Sequence, residues 1–189
     1  MFLIEEDIAF ALEALQKGEI ILYPTDTVWG IGCDATNVAA VAKVYALKKR
    51  TDTKAMIVLV PEERWILDYV TEPTPKVADY VKGITKPTTV IYEKAKKLAT
   101  NLVAEDGSIA IRVCKANFAF QLMKAFGKPI VSTSANISGL PTPLCFKDID
   151  LDIINGVSYV VKSHQEETTL KQPSSIVQWV ADQLIVIRP

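Results

Sequence analysis

A chain of 189 residues carrying 21 basic and 22 acidic side chains, formal net charge -1, has no global field to draw it to nucleic acid or to a membrane surface. Its 49% apolar and 23% charged residues are the balance of a folded globular protein, and a domain near this size hides roughly 70% of its unfolded surface. Cys33, Cys114 and Cys145 are dispersed and form no C-x-x-C pair, which argues against a zinc site or a disulfide framework and suits a reducing cytosol.

The start of the chain turns acidic at Glu5, Glu6 and Asp7, unlike a signal peptide, and no apolar run reaches bilayer length, so the cytoplasm is the expected compartment. Ile8, Ala11, Leu12 and Leu15 repeat at helical spacing, and Gly18 follows as a stop. EIILY, 19–23, reads as a buried strand ended by Pro24. The next segment, 23–34, is too polar and glycine-containing to continue a sheet and is expected to form a loop at the strand end. Val38, Val41, Val44 and Leu47 mark a second helix starting near Asn37. MIVLV, 56–60, has the unbroken apolar character of a central strand covered on both faces. Pro61 is expected to open a helix holding Trp65, Ile66 and Tyr69. A helix near 77–81 precedes strands at 88–92 and 108–113. Phe118, Leu122 and Ala125 lie on a helix ended by Gly127, before a strand at 129–132 that runs into the polar loop STSANISG. Strands near 159–162, 175–180 and 184–187 finish the chain. Such alternation implies a helix-covered α/β (mixed α+β) sheet in a single domain, 1–189.

Several constellations carry potential chemistry. YPTDTVWGIGCD, 23–34, sits where open α/β folds gather ligands. Gly30, Gly32 and Ala35 spell G-x-G-x-x-A, but PTDTVW separates them from the strand, so the dinucleotide fingerprint is rejected. Lys43, Lys48, Lys49, Arg50 and Lys54 cluster around Asp52 alone; they either complement a helix C-terminus or bind phosphate oxygens. Ser132, Thr133, Ser134, Asn136 and Ser138 crowd donors into one turn, as a cap or as a ligand cradle. Arg112 interrupts an apolar strand, and Arg188 holds a similar place near the last strand's end. A charge in such a position needs an ion-pair partner or an open cleft. No P-loop motif is present, and the lone histidine, His164, lies in a polar segment. A P-loop ATPase and a Ser-His-Asp hydrolase are therefore unsupported.

These motifs, in this order, resemble the YrdC/TsaC-type family of L-threonylcarbamoyladenylate synthases. Residues 23–34 resemble its Y-P-T-[DE]-T-x-[YFW]-G-[LIV]-G, Lys48-Lys49-Arg50 its K-x-R, and Ser134-Ala135-Asn136 its S-x-N. PSSIV, 173–177, resembles its P-S-T-[IV]-[IV], and Ile187-Arg188-Pro189 its terminal [LI]-R-P. The resemblance implies a three-layer YrdC/RibB-like fold around a twisted mixed β-sheet with a basic concave face. It implies a nucleotidyltransferase that joins L-threonine, bicarbonate and ATP into threonylcarbamoyl-AMP and pyrophosphate with Mg2+, whose ligands are unknown. The product is destined for threonylcarbamoyladenosine in tRNA, through hand-off to tRNA threonylcarbamoyl-transfer proteins. By matching positions, Lys48, Arg50 and Lys54 take catalytic roles. ATP falls to those three with Ser108, Ser134, Asn136, Thr142 and Arg188, and threonine to Thr27, Arg112, Ser132 and Ser174. The chain departs from the family pattern on the threonine side. Leu59 lies in the strand where many members carry a histidine. ITKPTT, 84–89, keeps only Pro87 and Thr89 of W-P-G-P-L-T, and the segment from Arg112 to Phe118 keeps the arginine of R-V-P-x-H-P but loses its histidine. The alternative from another class is a non-catalytic double-stranded-RNA-binding or ribosome-maturation module of the same fold, with tRNA or double-stranded RNA held on the basic face.

Overall fold

The computed structural model describes residues 4–50, 56–71, 73, 75–169, 171–180 and 183–189; Asp52 and Lys54 lie outside the described residues. Helix α1 spans Ile4–Gln16 and buries Ala11, Ala14 and Leu15. Gly18 follows it in the left-handed region at φ 69°, where a side chain would be strained, and the chain turns into β1, Ile21–Tyr23. Helix α2, Val38–Leu47, starts at Asn37, whose side chain accepts hydrogen bonds from the backbone N–H of Ala39 and Ala40 at 3.0 and 3.1 Å.

The expected loop at 23–34 contains a strand, β2, Gly30–Gly32, antiparallel to β1. Glycine is what permits it. A Cβ on Gly32 would lie 2.5 Å from Cε1 of Tyr23 and 2.9 Å from the carbonyl oxygen of Val131, and one on Gly30 would lie 2.9 Å from Oγ of Ser132. The tight approach lets the Tyr23 hydroxyl donate to the Val131 carbonyl at 3.2 Å.

Strand β3, Ile57–Val60, is followed by a 3-10 turn at Glu63–Trp65 and the four-residue helix α3, Ile66–Tyr69, so Pro61 precedes the helical segment rather than opening it. Helix α4, Pro75–Gly83, is followed by β4, Thr88–Tyr92, then β5, Ile109–Val113, and α5, Asn117–Phe126. Strand β6, Ile130–Ser134, runs two residues further into the polar segment than expected. Helix α6, Leu151–Asn155, was not legible as a periodic stretch; Asp150 caps it by accepting from the N–H of Asp152 at 2.7 Å. Strands β7, Tyr159–Val160, β8, Ser175–Val180, and β9, Gln183–Arg188, complete the sheet.

Among the described residues the sheet has nine strands, in the order β7-β1-β2-β6-β3-β5-β4-β8-β9. It is mixed: β1 with β7, β3 with β5, and β4 with β8 are parallel, the rest antiparallel. Strand β6 joins its two halves, pairing Ile130–Ser132 with β3 and Thr133–Ser134 with β2. On one face, Val90, Ile111 and Val113 share a cavity wall with Ile66, Val81 and Phe118 of the helices; Arg112 points to the other face. Strand alternation thus divides core from site.

A buried carboxylate ties α1 to the segment after β7. Asp7, 1% exposed, accepts hydrogen bonds from the Tyr159 hydroxyl at 2.6 Å and from the N–H groups of Lys162 and Ser163 at 3.0 and 2.7 Å. Burial alone would raise its pKa, but these donors outweigh burial and hold it below the ordinary carboxylate value. A lowered native pKa stabilises the fold above the unfolded value of roughly 3.9, and the stabilisation is lost as the pH falls through the native one. Asp7→Asn is expected to cost about 2 kcal/mol at neutral pH, because its amide turns donors toward donors. Urea unfolding should show the gap between the two proteins shrinking below pH 4.

Candidate functional site

The segment after β1 is folded by its own hydroxyls. Thr25 Oγ1 donates to the carbonyl of Val28 at 2.9 Å and accepts from the N–H of Thr27 at 3.0 Å, a compact turn that returns the chain into β2. After α2, Lys49 takes a left-handed conformation at φ 50°, reversing the chain at Arg50. The turn following β6 is organised by the S-x-N residues. Ser134 Oγ donates to Asn136 Oδ1 at 2.5 Å, while the Asn136 amide donates to the carbonyls of Ile137 and Leu140 at 3.0 and 2.7 Å.

These segments meet around a cavity of about 340 Å³, within the range of small-molecule sites. Of the residues expected to contact ATP, Arg50, Ser134, Thr142 and Arg188 line it. Of those expected to contact threonine, Thr27, Arg112, Ser132 and Ser174 all line it. Among the described residues the wall holds three guanidiniums and no carboxylate, and burial together with the nearby Arg112 charge lowers the pKa of Arg188. Such a wall favours anionic ligands. Arg112 is the sharpest case. It is 3% exposed, and its Nε has no hydrogen-bond partner among the described residues. Its Nη2 lies 3.0 Å from Oδ1 of Asp26 in an ion pair. An unsatisfied buried guanidinium nitrogen is costly, and a bidentate carboxylate would satisfy it.

Arg188 donates from Nε to the Ser174 carbonyl at 2.9 Å, and the Ser174 hydroxyl is 2.8 Å from that of Thr89. Thr89 and Asp26 are the supporting residues that sequence reasoning did not place in the site. Thr89 carried a signal, being one of two residues kept from an otherwise altered motif; Asp26 sits inside the first motif with nothing to mark its role.

Three expected contacts stand elsewhere. Asn136 organises its turn and is not among the residues lining the cavity. Ser108 also lies outside it; its carbonyl accepts from the N–H of Ala104, a residue of a neighbouring open cavity of about 740 Å³ whose wall also holds Arg50, Lys96 and Lys97. Lys48, expected to contact the nucleotide, is 2% exposed, and its ammonium is turned beneath the loop, donating to the carbonyls of Ser134 and Asn136 at 2.6 and 2.7 Å, while its own carbonyl accepts from Ser138 N–H. Lys54 lies outside the described residues.

Burial, and then the Arg50 charge, bring the Lys48 pKa down to about 8. The native state therefore sheds this proton before the unfolded chain, whose lysine titrates near roughly 10.4, so stability gains from Lys48 as pH rises between the two values. Urea titrations of wild type and Lys48→Met should show the wild-type advantage growing from pH 8 to 10; a constant difference would count against a depressed Lys48.

Among the described residues no group of three or more His, Cys, Asp or Glu comes together to hold a metal, so side chains here offer no cage for Mg2+. No helix among them is long and apolar enough to cross a membrane.

Fold and cavity together define a mixed-sheet α/β protein with an arginine-lined pocket on one face of the sheet. The chain belongs to the Sua5/YciO/YrdC family, whose model, described as telomere recombination, matches residues 13–189. Among curated relatives, the threonylcarbamoyl-AMP synthase of Pseudoalteromonas translucida is 35% identical over 175 residues, covering 91% of this chain and 92% of that one. The enzyme of the same name from Vibrio parahaemolyticus is 34% identical over 168 residues, covering 87% and 90%. Solved structures share the fold at low identity. The Sua5 of P. abyssi complexed with L-threonine superposes with a TM-score of 0.88 at 19% identity, covering all of this chain, which spans 55% of that longer one. YciO of E. coli gives 0.83 at 21% identity, covering 98% and 89%.

Proposed function

We propose that the chain joins L-threonine, bicarbonate and ATP into threonylcarbamoyl-AMP and pyrophosphate, as a nucleotidyltransferase serving threonylcarbamoyladenosine formation in tRNA. The observation that carries this reading is the cavity in which Arg50, Arg112 and Arg188 converge with no acidic wall residue among the described residues. The synthase name of relatives near 35% identity over nine-tenths of the chain supports it.

In this reading the threonine amine condenses with bicarbonate, losing water, to give a carbamate. A carbamate oxygen then attacks the α-phosphorus of ATP, and the bond to the bridging oxygen breaks as pyrophosphate leaves. Arg112 takes the threonine carboxylate through its unsatisfied edge, and Thr27, Ser132 and Ser174 supply hydroxyls around the amino acid. Ser134, Thr142 and Arg188 hold the nucleotide, and Arg50, shared with the neighbouring open cavity, offsets charge that builds on the departing pyrophosphate. Lys48 and Asn136 act by fixing the Ser134 turn. Mg2+ enters, on this account, with the nucleotide phosphates. Confinement of the carbamate beside ATP supplies proximity. The product passes to tRNA-modifying partner proteins.

The test is incubation with ATP, bicarbonate, Mg2+ and L-threonine, following pyrophosphate and the adenylate. Product should require every substrate. Duplex-RNA binding with a steep salt dependence and no threonine-dependent turnover would favour the non-catalytic alternative.

A further inference from the structure

We infer that Asp26 is a positioning residue for amino-acid recognition, holding the Arg112 guanidinium from behind so that its free edge is presented to the carboxylate of the ligand. The inference rests on the reading of the cavity as a threonine site and adds a residue that touches neither substrate.

The geometry separates the two sides of the wall. Arg112 lines the site cavity, whereas Asp26 lines a different cavity, of about 460 Å³, on the helix-covered side of the sheet. The ion pair at 3.0 Å crosses between them. Asp26 is itself held in place from two directions. The preceding Thr25 hydroxyl fixes the backbone turn, and the Cys114 thiol, from the residue after β5, lies 3.3 Å from Asp26 Oδ1 as a donor. Burial, with the neighbouring carboxylate, pushes that thiol up to about 11, so it keeps its proton at neutral pH.

The electrostatics explain why a guanidinium here needs a counter-charge that is not substrate. Arg112 is buried and shares its cavity wall with the half-buried Arg188, so without Asp26 the like charge of Arg188 would act on an unpaired guanidinium in the unliganded protein. Asp26 offsets one charge by engaging Nη2 and leaves Nε without a hydrogen bond. A carboxylate entering the site then finds an oriented fork, and recognition does not wait for the side chain to be drawn into place.

Removing the charge should therefore harm threonine use selectively. For Asp26→Asn we expect the threonine KM to rise about tenfold, the scale of a small misplacement of a positioning group, with the ATP KM within twofold and kcat little changed. Asp26→Glu should recover most of the loss. In an Arg112→Ala background, Asp26→Asn should add no further change in threonine KM, because both act through one guanidinium. Should the asparagine variant fail to fold, the smaller and also uncharged Asp26→Ser carries the same comparison. A threonine KM equal to wild type, equal losses for threonine and ATP, or additivity with Arg112→Ala would each overturn the inference. Calorimetric titration of wild type with L-threonine keeps the premise separate: no binding there sinks the threonine reading itself, whereas wild-type binding with an unaffected Asp26→Asn sinks only the role of Asp26.

Discussion

Arg112→Ala is expected to raise the threonine KM by at least about a hundredfold, near 3 kcal/mol, the scale of a buried charge-assisted bidentate contact. This side chain is 3% exposed, its Nε lacks a hydrogen-bond partner among the described residues, and it stands on a strand whose neighbours Ile111 and Val113 face the opposite side. In the unliganded protein the guanidinium pairs with Asp26 through Nη2, and satisfaction of its Nε falls to a ligand. Arg112→Lys should recover less than a tenth of the lost affinity, because an ammonium keeps the charge but cannot grip both carboxylate oxygens in one plane. The ATP KM should move less than threefold in either variant. Initial rates with threonine varied at saturating ATP measure the effect, and a wild-type threonine KM in Arg112→Ala would remove the carboxylate role.

Gly32→Val is expected to cost about 3 kcal/mol or more of stability, the upper range for forcing a side chain into a packed site. A Cβ at this position already meets Tyr23 Cε1 at 2.5 Å and the Val131 carbonyl oxygen at 2.9 Å, before the branched methyls are added. Neither neighbour can yield cheaply. Tyr23 is fully buried and donates its hydroxyl to that same carbonyl, and Val131 is fixed in register opposite Val58. Denaturant unfolding reads the loss. Gly107, with nothing within 4 Å of an added Cβ but φ at 81°, provides the contrast, since its replacement by alanine should cost only the backbone strain of about 1 kcal/mol.

Much of the architecture was legible because burial imposes periodicity. The 56–60 run predicted a central strand and is β3, and the Asn37 cap and the Gly18 and Gly127 stops fall where the pattern put them. The exceptions share a cause. Strand β2 is three residues long and two are glycine, so no apolar alternation marks it; its reason is space beside Tyr23, which only the tertiary structure shows. Helix α6, at five residues, is too short to display a period. In the site, the charged and hydroxyl-bearing residues were identifiable as types out of place. Which of them point inward was not, because Lys48 and Arg50 are two residues apart on a turn whose direction depends on the left-handed Lys49. Asp26 needed its partner, and Arg112 is far away in the chain.

Strand β6 holds the pocket together, and that has a cost in time. The N-terminal hairpin finds its second neighbour only when residues 133 and 134 exist, about a hundred positions downstream of Gly30 and Ile31. Until the ribosome has delivered that stretch, both sides of the hairpin carry unpaired backbone groups, and β1 waits longer still for β7. Slowed translation between the two regions should therefore favour aggregation of the nascent chain.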